Sequence, residues 1–594
     1  MWLRALWTIS LCCGLLLAGC GSDSSSAPSD ATPGTGFQPP AGFVAINFTI
    51  DDTADQTYDT ADGLAWKGSF SFDPASRILS VDASWGGPFP MLYDDGPWDD
   101  GGHEPAGAIA GDHVWGVTVW VSAAASQNFE YGAISGSVDG SDGTWIWTGA
   151  NGTFAVTSGD STPIDAAGLV IVAAWQTAQD VAAQGFMFDV GGNAAGDAVL
   201  VWRQDETAGS SIWARHYAVA TDTWGNPVTL KAQGLDVDAP QVAVNAAGDA
   251  AAVWVQFEAG GMAVWASTYD AAVTTWSAAQ RLGPAPSPVA ARPQVAINNA
   301  GEAIAVWEET DGTRYNLWVA TFASGVWRAA ESVNEGIGDA VQGQVVLDGT
   351  GKAIVVWIQD PVNTSMTYRI HAATYDFTSG WTSPEMIDPF PVAAAVWDYA
   401  SFEPVSGMDD GGNAVVAWML QDFSQGQRNN IWTIRYDAAT GVWGNAVEID
   451  GTDDTSSLHQ LAVGPTGNAV VAWHQFDEAL QQNRVAANGL DATSGQWRGA
   501  ELLEADPAVK PSVGIDGAGN AVALWYQRNG TAFELWSSNR QGTAGSWEQA
   551  QRVSASIVLL AGDRIGTDPQ VVVFGPDRAL AVWYSSGIWS SSFR

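Results

Sequence analysis

The chain has 594 residues, a formal net charge of −42 and only 15% charged residues. Lysine occurs at Lys67, Lys231, Lys352 and Lys510 alone, and no basic cluster exists, which excludes nucleic-acid backbones and disfavours anionic partners. A cation, a neutral glycan or a protein is easier to accommodate, and the acidity also keeps a chain with 32 tryptophans soluble.

The three cysteines, Cys12, Cys13 and Cys20, all lie at the start, so the body of the chain has neither a disulfide nor a cysteine metal site. One charge, Arg4, precedes the apolar run LWTISLCCGLLLA, and the run ends in Leu17-Ala18-Gly19-Cys20. This segment resembles the bacterial lipoprotein signal, all four lipobox positions matching. The resemblance implies cleavage after residue 19 and lipidation of Cys20. The run is too short for an ordinary membrane span, which needs about 20 apolar residues. Gly21 stands where an Asp would retain such a lipoprotein at the inner membrane, so the outer membrane is expected, on either face. Residues 20–42 are rich in Ser, Pro, Gly and Asp, cannot bury enough apolar surface to fold, and read as a tether.

Residues 43–160 show short alternating runs such as FVAINFTI, ILSVDASW, HVWGVTVWVS and GTFAVTS, punctuated by Gly, Asp, Asn and Pro. About seven short strands of this kind predict a small antiparallel β-sandwich. The phrases FEYGAI and GTWIWTGANGTFAV loosely resemble the end of starch-binding β-sandwich modules. That resemblance implies a sugar-facing role for Trp145 or Trp147, since aromatic faces stack on sugar C–H faces; the alternative is that the two simply alternate between core and solvent. The least strand-like segment, PMLYDDGPWDDGGHEPAGAIAGDHVWG, carries Asp94, Asp95, Asp99 and Asp100 around Trp98. Such a density of carboxylates suits Ca²⁺, which takes six to eight oxygens, or is a solvated acidic loop. Its spacing is not that of an EF-hand, and His103 and His113 do not form an HExxH zinc site. Trp98 joins Trp145 and Trp147 as a candidate ligand contact.

From residue 165 to residue 594 one phrase recurs eight times: a turn residue, a hydrophobic run, then Trp. It ends at Trp202, Trp254, Trp307, Trp357, Trp418, Trp473, Trp525 and Trp583, at intervals of 52, 53, 50, 61, 55, 52 and 58 residues. Each unit reads as four strands, as in PQVAV, AAAVWVQ, MAVWASTYD and WSAAQRL. Four strands per fifty-odd residues in series predict a β-propeller, here of eight blades. The tryptophans at 11-residue intervals, such as Trp254, Trp265 and Trp276, are expected at equivalent points on the second, third and fourth strands, filling the space between blades. The last unit stops at Arg594 without a fourth strand, whereas AAWQTAQDV around Trp175 matches one. That N-terminal strand is expected to complete the last blade and remove an exposed edge. The 61-residue interval, with Trp397, is expected to hold an insertion.

Three further patterns carry functional weight. The turns YDAATGVW and LDATSGQW resemble the Asp-box of sialidase-type propellers, displaced by one residue in both Asp and Gly. The resemblance implies a structural turn, and the arginine triad that sialidase chemistry needs cannot be assembled from the scattered arginines. A polar residue follows two after most second-strand tryptophans (Gln204, Gln256, Glu309, Gln359, Gln475 and Gln527), on the same strand face. Repeated Trp–Gln pairs resemble fucose-binding propeller lectins in being Trp-rich and repeated; the alternative is a Gln bonded to the backbone of the next blade. The turns NAAGD, NNAGE, DGTGK, DDGGN and DGAGN supply positive φ for hairpins and are not phosphate loops.

The expected protein is all-β, lipid-anchored at Cys20, monomeric and non-catalytic, and it binds a glycan or an envelope protein, with Ca²⁺ as the one cofactor the acidic loop suggests. The alternatives are a glycosidase or lyase acting on polysaccharide at the propeller centre, and a purely structural envelope protein. Fold alone does not choose among them.

Overall fold

The structure is a computed structural model that describes residues 43–594 outside a set of segments, the longer being 52–64, 82–89, 93–113, 136–143, 157–163, 361–367, 389–398 and 558–567. The described residues form strands and no helix. They divide into two units, Met1–Val172 and Ala173–Arg594.

In the first unit Phe43–Asp51 pairs antiparallel with Val114–Ser122 along its whole length, and Phe70–Asp73 and Ile78–Val81 extend the same sheet. A second sheet joins Ala65–Gly68, Gln127–Ser135, Thr144–Trp145 and Gly152–Val156. Alternate residues of both sheets enter one core: Val44, Ile46 and Phe48 from the first, Trp66, Phe129 and Tyr131 from the second. Phe48 lies edge-on to Tyr131 at 5.5 Å and Phe129 stacks on Phe154 at 4.7 Å. The expectation of a purely antiparallel arrangement is corrected. Ile164–Asp165 and Leu169–Val170 both run parallel to Phe43–Asp51, and Ile78–Val81 runs parallel to Val114–Ser122. Those two short strands also carry the unit past residue 160, because a β-strand edge accepts any extended chain that satisfies its open backbone groups.

The second unit is a series of eight antiparallel sheets, each in sequence order except the last. The sheet built from Val237–Val244, Ala250–Glu258, Gly261–Asp270 and the short pair Thr275–Trp276 and Gln280–Arg281 is typical. The first strand of each sheet touches the first strand of the next, and Gln570–Gly575 returns to Gly185–Gly192, so the series closes. The eighth sheet takes its outer strand from the other end of the unit: Gln179–Ala182 pairs with Ile588–Phe593, and Trp175 bridges to Phe593. The Trp175 indole donates to Ser537 Oγ at 2.7 Å, tying this strand to the preceding sheet as well. No edge is left open at the seam.

All eight second-strand tryptophans are buried, none above 2% exposure. Each packs on the second strand of the preceding sheet, as Trp254 does on Val199 and Val201. Small residues (Ala, Val) on the second strands let the sheets approach, and the wide indole fills the gap that opens outward. Third-strand tryptophans lie directly opposite, Trp202 to Trp213 and Trp254 to Trp265. The fourth-strand tryptophans do not continue that line. Trp224 pairs with Tyr217, four residues beyond Trp213, and Trp276 with Tyr269, each ring about 5 Å from its partner. The equal 11-residue spacing therefore arises from two different hairpin offsets.

The hairpin turns behave as their composition dictates. Gly196, Gly248, Gly301, Gly351, Gly412, Gly467 and Gly519 all have positive φ. In each of the turns at Asn193, Asn245 and Asn298 the side-chain oxygen takes the amides two and four residues on. Asn193 and Asn245 also donate to the carbonyls of Asn245 and Asn298 in the next sheet, at 3.1 and 3.0 Å.

Candidate functional site

The first strands carry a defect that recurs sheet after sheet. Pairing with the second strand breaks register between Phe186 and Phe188, Asp238 and Gln241, Ala291 and Gln294, Val341 and Gln344, Phe402 and Val405, Ser457 and Gln460, and Val509 and Ser512. These are β-bulges, which bend a strand and re-aim its side chains. At six of them one residue is left-handed: Met187, Ala239, Arg292, Gln342, Glu403 and Lys510, with φ between 47° and 57°. Only eleven non-glycine residues of the described chain have positive φ, so more than half of this strain is placed at one structural position. Strain of this kind persists where the surroundings over-determine it, and it gathers at ligand sites.

The strained residues line a cavity of about 660 Å³ to which seven of the eight first strands contribute, with Asp568 just ahead of the eighth. Its walls differ in character. Met187, Phe188, Pro240, Val255, Phe257 and Met262 form an apolar side. Gln241, Gln294, Gln342, Gln344 and Gln460 bring five amides. Arg292, Glu403, Lys510, Asp238 and Asp568 bring charge, and Lys510 is one of the chain's four lysines. At the structurally equivalent bulge position the sheets thus present Met, Ala, Arg, Gln, Glu and Lys, whereas the second-strand Trp is kept in all eight. The scaffold is repetitive and its cavity is chemically asymmetric.

The charges are organised in a chain of contacts. Glu308 accepts from Arg292 Nη1 at 3.5 Å and from the Gln342 amide at 2.6 Å. The Gln342 side chain accepts from the Glu403 amide at 2.7 Å. Lys510 pairs with Asp568 at 2.8 Å, and Asp238 with Arg203 at 3.4 Å. Burial pushes the carboxyls of Glu308 and Glu403 above the usual range, and the Arg292 charge opposes this at both. Glu403 lines the cavity and is itself exposed to solvent, with protein surrounding its carboxyl only at longer range. His459, 3% exposed, also lines the cavity, and burial pushes its imidazole down to about 4, so it is neutral at pH 7. Beneath the rim, Asp189 Oδ2 accepts from the Val242 amide and Gln570 Oε1 from the Val190 amide, both at 2.8 Å, pinning neighbouring first strands together.

The Trp–Gln pairs have a different role from either one expected. Trp357 donates its indole N–H to Gln359 at 2.9 Å, Trp307 to Glu309 at 3.0 Å, and Trp473 and Trp525 to Gln475 and Gln527 at 3.3 Å each. In these four sheets the polar residue satisfies the buried indole of its own strand, whereas Trp254 Nε1 and Gln256 Oε1 have no hydrogen-bond partner. A ring that is buried on both faces offers nothing to a sugar. The Asp-box-like turns are structural: Asp437 and Asp491 each accept two amides of their own turn, ahead of Gly441 and Gly495 at positive φ.

Cys20, Trp98, Trp147, Asp94, Asp95, Asp99 and Asp100 lie outside the described residues, as do His103, His113 and Trp397. Trp145 is described only as backbone, in Thr144–Trp145 paired with Gln127–Ser135. Among the described residues no cluster of His, Cys, Asp and Glu could hold a metal ion. The cavity residues were missed in the sequence, yet a signal was present. Pro240, Pro293, Pro404, Pro511 and Pro569 recur just before the first-strand run, and proline inside a strand pattern marks a bulge or an edge.

No protein-family model and no curated protein matches this chain. Solved structures similar to it include a polysaccharide lyase described as a PL25 ulvan lyase bound to -[GlcA(1-4)Rha3S]-, at 10% identity over 58% of this chain and 89% of that one, with a TM-score of 0.39. The β-propeller domain of the Trilobed protease from Pyrococcus furiosus matches at 10% identity over 64% of this chain and 98% of that one, TM-score 0.36. The α-L-arabinanase of Penicillium chrysogenum, complexed with arabinobiose, matches at 11% identity over 52% of this chain and 93% of that one, TM-score 0.31. At such values no activity carries over from any of them.

Proposed function

We propose that the protein is an extracytoplasmic lipoprotein whose second unit is an eight-bladed β-propeller and whose first unit is a β-sandwich, and that it binds carbohydrate in the central cavity without transforming it. The observation that carries this is the composition of the cavity: an apolar side faced by five neutral amides. An amide both donates and accepts, as hydroxyl-rich ligands require. Apolar side chains suit the C–H faces of sugar rings, and mostly apolar pockets with a few placed polar groups are the ordinary form of a ligand site. Lipidation of Cys20 would hold the protein at the outer membrane, with residues 20–42 as the tether.

A polysaccharide-acting enzyme is the second reading, favoured by one feature: an acid with an elevated pKa, Glu403, shares the cavity with the neutral imidazole of His459. Trp98, Trp145 and Trp147, with Ca²⁺ on Asp94, Asp95, Asp99 and Asp100, remain a proposal for an additional ligand surface on the first unit.

A glycan array probed with a soluble form beginning at Phe37, with and without Ca²⁺, tests the proposal. Specific binding abolished by filling the cavity with Ala239→Trp supports it. Binding that survives that substitution moves the site to the first unit, and a blank array removes carbohydrate altogether. New reducing ends or unsaturated products from any bound polysaccharide would establish the enzyme instead. Mass spectrometry of the wild type and Cys20→Ala reads the anchor directly.

A further inference from the structure

We propose that the carbohydrate this cavity accepts carries a free amino group, whose ammonium ion sits against the Glu403 carboxylate. The inference rests on the carbohydrate reading above and specifies its ligand.

The argument begins with the charges that line the cavity. Three of them already have partners: Lys510 has Asp568 at 2.8 Å, Arg292 has Glu308 at 3.5 Å, and Asp238 has Arg203 at 3.4 Å. Glu403 differs. No described residue makes a hydrogen bond or an ion pair with its carboxylate, and Arg292, already engaged by Glu308, acts on it only at longer range. The imidazole of His459 sits at the neighbouring bulge, but burial keeps it neutral, so it supplies no countercharge at pH 7. Glu403 is therefore the cavity carboxylate with no ion-pair partner among the described residues, whereas Asp238 shares Arg203 with Asp205.

The position of that charge is built. Glu403 has φ 53°, is followed by Pro404, and has its backbone amide held by the Gln342 side chain at 2.7 Å. A left-handed residue before proline is doubly restricted. Nothing in local propensity calls for a carboxylate there, since the equivalent positions carry Met, Ala and Gln. An exposed carboxylate with no fixed cation beside it is held by water in the empty protein, and a bound ammonium replaces that water with a charge-assisted hydrogen bond.

The ligand classes then separate. A uronate or sulfated sugar would meet Arg292 and Lys510 already neutralised, and would be repelled by Glu403. A neutral sugar would leave Glu403 as it is. An amino sugar satisfies Glu403 with a charge-assisted hydrogen bond, the stronger kind. Its ring can reach the apolar side, because Met187 and Phe188 belong to the sheet four places round the closed series of eight, opposite Glu403. The net charge of −42 raises the local concentration of any cationic ligand.

The test is calorimetric titration of the full chain in detergent with three probes: a β-1,4-linked glucosamine tetramer, its fully N-acetylated counterpart and a galacturonic acid tetramer. The amino tetramer is expected to bind about ten-fold or more tighter than the acetylated one, the scale of one charged hydrogen bond. Glu403→Gln should erase that preference, because the amide keeps the size and loses the charge. Competition on the wild type by glucosamine but not by N-acetylglucosamine makes the same point without a variant that must fold. Equal affinity for amino and acetylated tetramers, or tighter binding of the galacturonate, overturns the inference and leaves the carbohydrate reading standing. No binding of any probe, together with a blank array, sinks both.

Discussion

Replacing Trp357 and Trp254 by Phe, one at a time, should have unequal consequences although both rings are 0% exposed and occupy the same place in their sheets. In the fourth sheet the indole N–H of Trp357 meets Gln359 at 2.9 Å, with Gln359 itself 4% exposed. In the second sheet neither Trp254 Nε1 nor Gln256 Oε1 has a hydrogen-bond partner. Phe removes the same ring volume at both sites, costing about 1 kcal/mol each. At Trp357 it also breaks a buried bond, adding about 1–2 kcal/mol. At Trp254 it deletes a donor that was buried without a partner, which offsets most of the volume term. The two variants should therefore differ by about 2 kcal/mol. The entropy of unfolding is about 2.1 cal/mol/K per residue, so over residues 173–594 that is a gap of about 2 °C in calorimetric Tm. A double-mutant cycle of Trp357→Phe with Gln359→Leu should show coupling of about 1 kcal/mol, and the corresponding cycle at Trp254 and Gln256 should show none. Equal Tm shifts for the two Phe variants, or equal couplings, would refute the view that Gln359 satisfies the Trp357 indole while Gln256 leaves that of Trp254 unpaired.

Other outcomes follow from the same coordinates. His459 and His474 are held neutral by burial, with pKa values near 4 against an ordinary value of 6.5. The unfolded chain binds those protons first, so stability present above pH 6.5 is lost as pH falls toward 4, by up to about 3 kcal/mol per histidine. His474→Gln should flatten that loss in a Tm profile. Asp189, raised to about 6 by burial, acts in the opposite sense: its penalty grows as pH rises from about 4 to 6. Asp189→Asn should raise Tm at pH 7 and leave it unchanged at pH 4. Trp175→Ala removes the Ser537 hydrogen bond and the 5.3 Å ring contact with Phe593 that fasten the seam. A loss of about 2–3 kcal/mol is expected, with concentration-dependent light scattering as an edge opens. A Cβ at Gly338, φ +95°, would lie 2.2 Å from the Asp360 carbonyl oxygen, whereas one at Gly301, φ +74°, meets nothing within 4 Å. Gly301→Ala should cost about 1 kcal/mol for its φ alone, and Gly338→Ala should cost several-fold more in a thermal melt.

The repeat, its strand content and the seam were legible in the linear chain because each is a local matter. Alternation writes a strand, Asn-Ala-Ala-Gly writes a turn, and a missing fourth strand after Trp589 with a surplus one at Trp175 writes the closure. The burial of the second-strand tryptophans was legible for the same reason, since a ring kept at one place in eight units is filling one recurrent gap. Tertiary structure alone decided the partner of each polar residue. Whether Gln359 turns to its own Trp357 or to a neighbouring backbone depends on the distance between sheets, which no spacing encodes. It also decided the cavity. Arg292, Glu403 and Lys510 are more than a hundred residues apart in sequence and belong to three different sheets. Only the closed series of first strands, each bent at its bulge, brings them around one cavity. Structural residues repeat because every sheet solves the same packing problem. The cavity residues do not repeat, because each sheet contributes a different group to one shared cavity, and a lining assembled from differences leaves no period to read.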